Sequence, residues 1–217
     1  MTLFSGCARN NLSTTPNTLS PENSKTSSSS PEPADKQTPA FMHDIQKLCD
    51  EELLYEYING LEICLIGENE LIFKNPDEIS SSTLHMFFLY ILNNDFFTGD
   101  DSQYKEYERQ WLKKDNKFHI PIKDITTVLD RYFEHYSLEP AKIYGYSPSE
   151  NAVIERTITG FGGDVWTRVK DKKFEQEQLV LVVDFYEDNS FQEVSKTKEY
   201  VIRFYESGYY LLSVTKK

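Results

Sequence analysis

One carboxylate interrupts an apolar, strand-like run near the C-terminus. The run Leu179-Val-Leu-Val-Val-Asp-Phe-Tyr-Glu187 alternates with the two-residue period of a strand, and Asp184 shares its parity with Val180, Val182 and Tyr186. If that side faces inward, Asp184 is a buried carboxylate with a raised pKa. It is then a general base in a pocket that Tyr186, His119 and Trp166 would line. If that side faces outward, Asp184 is an ordinary strand residue, and Leu181, Val183 and Phe185 form the core. The outward arrangement costs no desolvation and is the one expected. Other constellations carry less chemistry. His43, His85, His119 and His135 are too scattered for a metal pair, so neither a metal nor a cofactor is expected. His85 lies beside an apolar helical stripe and reads as a satisfied boundary residue. Gly160-Phe-Gly-Gly163 lacks the spacing of a phosphate loop and joins two β-like segments, so it reads as a tight connection. Glu187-Asp188-Asn189 lacks the ligand spacing of a calcium loop and reads as a solvated turn. No nucleophile elbow is present, and no catalytic residue is assigned.

The elements that must position these residues change character along the chain. Residues 41–57 show a helical period, stopped by Asn59-Gly60, and a short hairpin is expected over 61–73. Asn75-Pro-Asp-Glu78 has the form of a helix start. Leu84, Phe87, Phe88, Ile91 and Leu92 follow at helical spacing, the strongest apolar stripe in the chain. A further helix or ordered loop is expected over 101–114, and an amphipathic helix over 122–136. After Ala141 the period becomes two. Strands are expected at 142–146, 152–159, 164–169 and 174–187, with turns at 147–151, 160–163 and 171–173. Two more strands, 198–205 and 209–215, complete a meander. Helices first and an antiparallel sheet afterwards give an α+β fold, two or three N-terminal helices packed on one face of a curved meander sheet. That element order resembles the cone folds of the nuclear-transport-factor-2-like and cystatin-like kinds. Such a cone implies a second possibility, a small pocket enzyme or small-molecule binder using a buried carboxylate.

The first 40 residues have a different composition. Every aromatic residue except Phe4 lies at or beyond Phe41, and residues 8–40 are rich in Ser, Thr, Pro and Asn. Such a stretch buries too little apolar area to offset chain entropy and is expected to be a disordered linker. It is charge-balanced: Arg9, Lys25 and Lys36 offset Glu22, Glu32 and Asp35, so the net charge of −12 belongs to residues 41–217. An acidic globule repels phosphate backbones, which disfavours nucleic acid as a partner. No apolar run is long enough to make a membrane-spanning helix.

Phe4-Ser5-Gly6-Cys7 resembles the lipobox of bacterial lipoproteins, in which an apolar residue and two small ones precede the modified cysteine. The resemblance implies that Cys7 receives a diacylglycerol and becomes the new N-terminus, residues 1–7 being the remnant of a signal peptide. The polar linker would then hold one domain, 41–217, at the extracytoplasmic face of the cell membrane. Only six uncharged residues precede Cys7, fewer than a signal peptide needs. Outside the cell, Cys49 and Cys64 have two readings: a disulfide, contributing roughly 3 kcal/mol in the chain-entropy model, or two free thiols, the commoner case. The expectation is a membrane-tethered binding or interaction domain without catalytic activity, whose partner is a protein or small molecule at the cell surface.

Overall fold

The computed structural model describes residues 39–97, 101–158 and 164–217, with side chains described throughout except at 94–97 and 101–104. The fold is α+β. Alternation in the C-terminal run decides its core. Leu179, Leu181 and Val183 are fully buried and Phe185 nearly so, while Val180, Val182 and Tyr186 are half-exposed. This run is β5 (Gln178–Tyr186), preceded by β4 (Trp166–Glu175) and followed by β6 (Val194–Tyr205) and β7 (Gly208–Lys216). The four strands pair antiparallel in chain order, a meander. Tyr200, Ile202, Phe204, Leu211 and Val214 extend the inner face. Each such side chain contributes on the order of 1.5–3 kcal/mol by leaving water.

The N-terminal helices cover that face. They are α1 (Ala40–Gln46), α2 (Asp50–Leu54), a π-helical turn at Tyr55–Asn59, and α3 (Gly60–Cys64). α2 packs on β4, and the Tyr57 ring stands edge-on to Phe204 and Tyr209, with centroids 5.3 Å away from each. Behind them, α4 (Ser81–Phe97) packs against α3, α5 (Asp101–Trp111) and α6 (Ile122–Leu129). Its stripe of Leu84, Phe87, Phe88, Ile91 and Leu92 is buried as the spacing predicts. Phe87 meets Phe133 edge-on at 4.7 Å. A second, three-stranded sheet holds β1 (Phe118–Pro121), β3 (Ala152–Glu155) and β2 (Tyr146–Ser147), in that spatial order.

The edges of the meander are managed differently. β7 is capped by a backbone bridge between Phe73 and Val214 and by the Leu211 N–H donating to the Tyr132 carbonyl. β4 instead carries Arg168, Lys170, Lys172 and Lys173, charges that discourage pairing with another chain.

Five local expectations are corrected. Gly60 does not stop a helix. It lies within one because a Cβ there would stand 2.8 Å from a Tyr90 ring carbon, so the position needs a glycine for close packing. The expected hairpin over 61–73 is therefore the end of that helix, a 3₁₀ turn at Gly67–Asn69 and an extended stretch. Asn75-Pro-Asp-Glu78 forms only a 3₁₀ turn, in which Glu78 folds back to accept from the Lys74 N–H. The helix proper starts after Ser80, whose hydroxyl accepts from the Thr83 N–H. Asp171-Lys172-Lys173 is no turn: β4 runs through it, with a bulge between Val169 and Asp171, and reverses after Glu175 at Gln176, where φ is +55°. The expected helix 122–136 ends at Leu129, and successive turns carry Phe133 into the core.

Candidate functional site

The residues singled out from sequence occupy two sheets. Asp184 lies on the outer side of the meander, in register with Arg168 and Thr197. It is nonetheless 9% exposed, because Thr197 Oγ1 donates to it at 2.5 Å and Lys170 Nζ lies 3.4 Å away. Trp166 and Tyr186 are cross-strand partners on that same side. Phe191 stands edge-on to both, and the Arg168 guanidinium sits 4.1 Å over the Phe191 ring. His119 belongs to β1 of the other sheet. Its Nδ1 pairs with Glu150 at 2.7 Å and its Nε2 with Asp115 at 3.2 Å. The Glu150 hydrogen bond, with help from Asp115, raises the His119 pKa, so the imidazolium donating from both nitrogens is favoured. Trp166, Asp184 and Tyr186 thus share one face, while His119 is committed to its own carboxylates. Cys49 and Cys64 are free thiols: Cys49 is exposed ahead of α2, and Cys64 is buried at the end of α3, where burial pushes its thiol up to about 11. The expected tight connection at 160–163 and the lipidation candidate Cys7 lie outside the described residues.

A buried charged cluster went unread in the sequence. Lys198 and Tyr200 share the parity of Ile202 and Phe204, which turns both toward the core. Glu62 on α3 meets them. Lys198 Nζ donates to its two oxygens at 2.8 and 2.7 Å, and the Tyr200 hydroxyl donates at 2.7 Å. Glu70 completes the group, 3.0 Å from Lys198, 3.0 Å from Lys196 and 2.8 Å from Lys216. Burial works to raise the Glu70 pKa, but the hydrogen bonds from Lys216, Lys196 and Lys198 prevail and hold it at about 2. Burial and Glu62 together keep the Tyr200 phenol well above its ordinary value. Every donor of Lys198 meets a carboxylate oxygen, so the cluster pins α3 and the following loop to the sheet.

The open site lies at the small sheet. A cleft of about 870 Å³ is lined by Lys117, Tyr144, Tyr146, Ser147, Glu155 and Arg156, among others. Its wall is a tight turn. Gly145 takes a φ of +80°, and a Cβ there would meet the Ile154 carbonyl oxygen at 2.7 Å. The Ile154 N–H donates to the Gly145 carbonyl at 2.9 Å, and the Tyr146 hydroxyl donates to Asn151 at 3.0 Å. Behind the cleft, His85 Nε2 is buried without a hydrogen-bond partner among the described residues and points at Glu155 Oε1, 3.6 Å away. Burial pushes His85 down to about 4 and raises the Glu155 carboxyl. His85 is therefore a buried neutral imidazole, not the boundary residue expected. Glu155 was read only as part of a strand.

Among the described residues, no group of three or more His, Cys, Asp and Glu is placed to hold a metal ion, and no helix is long and apolar enough to cross a membrane. Compared with family models, curated proteins and solved structures, the chain matches none.

Proposed function

We propose that the chain is a membrane-tethered extracytoplasmic binding domain. Cys7 carries the lipid, residues 8–40 form the spacer, and the following domain offers a recognition surface to a protein or small molecule. The observation that carries this reading is the cleft beside β2 and β3. It keeps Tyr144 93% exposed on a rigid turn, and it keeps Arg156 without a side-chain partner among the described residues. Both side chains are exposed, and aromatic and arginine side chains dominate binding hot spots. Labelling with radioactive palmitate in cells expressing the gene with its natural upstream region, followed by protease treatment of intact cells, tests the reading. Incorporated label and external digestion of the domain are expected. An unlabelled, protected domain would overturn the tethering.

A second reading, a pocket enzyme or small-molecule binder using a buried carboxylate, is favoured by the Glu155–His85 pair. The carboxylate in question is then Glu155 and not Asp184, which lies under Lys170 and Thr197. Glu155→Gln would abolish turnover of any substrate of that cleft while leaving the fold intact.

A further inference from the structure

We propose that the cleft binds a small aromatic anion, an aryl carboxylate or aryl phosphate, with its anionic group on Arg156 and Lys117 and its ring against Tyr144. The proposal rests on the binding-domain reading and names the ligand class for that site.

Several cations of this acidic protein are held against carboxylates. Lys170, Lys172, Lys173, Lys196, Lys198 and Lys216 each stand against a carboxylate. Among the described residues Arg156 has no such carboxylate, nor do Lys113 and Lys123, but the register that sets Phe118 opposite Glu155 places Lys117 across from Arg156 at the same end of the sheet. Among the described residues, two cations and one carboxylate, Glu155, line the cleft. Against a net charge of −12 for the chain, that local excess of positive charge is a recognition feature for an anion. An arginine with open donors suits a planar carboxylate or a phosphate, which it engages through two parallel N–H bonds.

The turn beside the cleft presents an aromatic ring. Tyr144 precedes Gly145, whose backbone is locked against Ile154, and Tyr146 is tied to Asn151. The exposed ring of Tyr144 is thus presented by a fixed backbone, with little ordering cost left for binding. Two tyrosines lining one cleft offer faces and edges for an aromatic ligand. Behind the lining residue Glu155, His85 Nε2, 5% exposed as a residue, has no hydrogen-bond partner among the described residues and faces the Glu155 carboxyl.

The test is a titration of the ¹⁵N-labelled full chain with four probes: benzoate, phenyl phosphate, inorganic phosphate and benzyl alcohol. The aryl anions are expected to give saturable shifts at the amides of 117, 144–147 and 155–157. Which of the two binds tighter assigns carboxylate or phosphate. Arg156→Gln is expected to weaken them about tenfold, the size of one charge-assisted hydrogen bond. Tyr144→Ala, at an exposed position, weakens the aryl probes but not inorganic phosphate. Glu155→Gln tightens the anions severalfold. Equal affinity in Arg156→Gln, or benzyl alcohol binding as tightly as benzoate, would overturn the anion assignment and leave the cleft a binding site. No saturable shift with any probe would overturn the ligand class. The tethering would then still stand or fall by lipid labelling.

Discussion

Lys198→Met is expected to be among the most damaging single substitutions in the domain. Lys198 is fully buried, and its ammonium donates to Glu62 at 2.8 and 2.7 Å and lies 3.0 Å from Glu70. Methionine keeps the length of the side chain and removes the charge. Glu62 is then left in the core with the Tyr200 hydroxyl and, at 3.4 Å, Lys196. Removing one partner of a buried ion pair costs about 3–5 kcal/mol, mostly the penalty of the stranded charge. At about 2–4 °C per kcal/mol for a domain of this size, the midpoint should fall by roughly 6–20 °C. Urea unfolding and calorimetry measure this directly. Adding Glu62→Leu removes the stranded carboxylate, and adding Tyr200→Phe removes the hydroxyl that would lose its acceptor, itself worth about 1–3 kcal/mol if left unmet. The triple variant should recover most of the loss. A Lys198→Met loss below about 1 kcal/mol would refute the stranded-charge argument, and so would a triple variant as unstable as the sum of its parts.

The same cluster sets an acid response. Glu70 is held at about 2 when folded against an ordinary value of 4.5, so the unfolded chain takes up its proton first. Its contribution is complete above about pH 4.5 and is lost as pH falls towards 2; Glu70→Gln should flatten that limb of a stability–pH curve. His119 acts with the opposite sign, since Glu150 and Asp115 raise its pKa above 6.5. Its contribution is full below about 6.5 and fades as pH rises through the folded value, which an NMR titration of the ring reads directly. Gly145→Ala should destabilise by at least about 1–2 kcal/mol, because φ is +80° and the added carbon meets the Ile154 carbonyl. A loss within error would mean that the turn relaxes freely.

Strand alternation was legible because the core is one-sided: Leu181, Val183 and Phe185 are buried opposite an outward Asp184. The α4 stripe was legible from its helical spacing, although Thr83, His85, Leu89, Tyr90 and Asn93, off that stripe, are buried as well. Gly60 misled because glycine has two uses, ending a helix and admitting a neighbour, and only the Tyr90 ring distinguishes them. A signal was available: Leu54, Ile58, Leu61 and Leu65 keep helical spacing straight through Asn59-Gly60. Lys198 likewise announced itself by parity, as a charge on the apolar side of β6, and such a charge requires a partner. Its partner Glu62, 136 residues earlier, is fixed by packing alone. The cleft was hidden for the same kind of reason. His85 on α4 meets Glu155 on β3 only once helix and small sheet pack together.

The most direct measurement is the intact mass of the mature protein, purified from cells carrying the gene with its natural upstream region. The account predicts a chain that begins at Cys7 and carries the added mass of a diacylglycerol, which places the binding domain outside the membrane. A mature protein with an unmodified Cys7, recovered from the soluble cytoplasmic fraction, would contradict it.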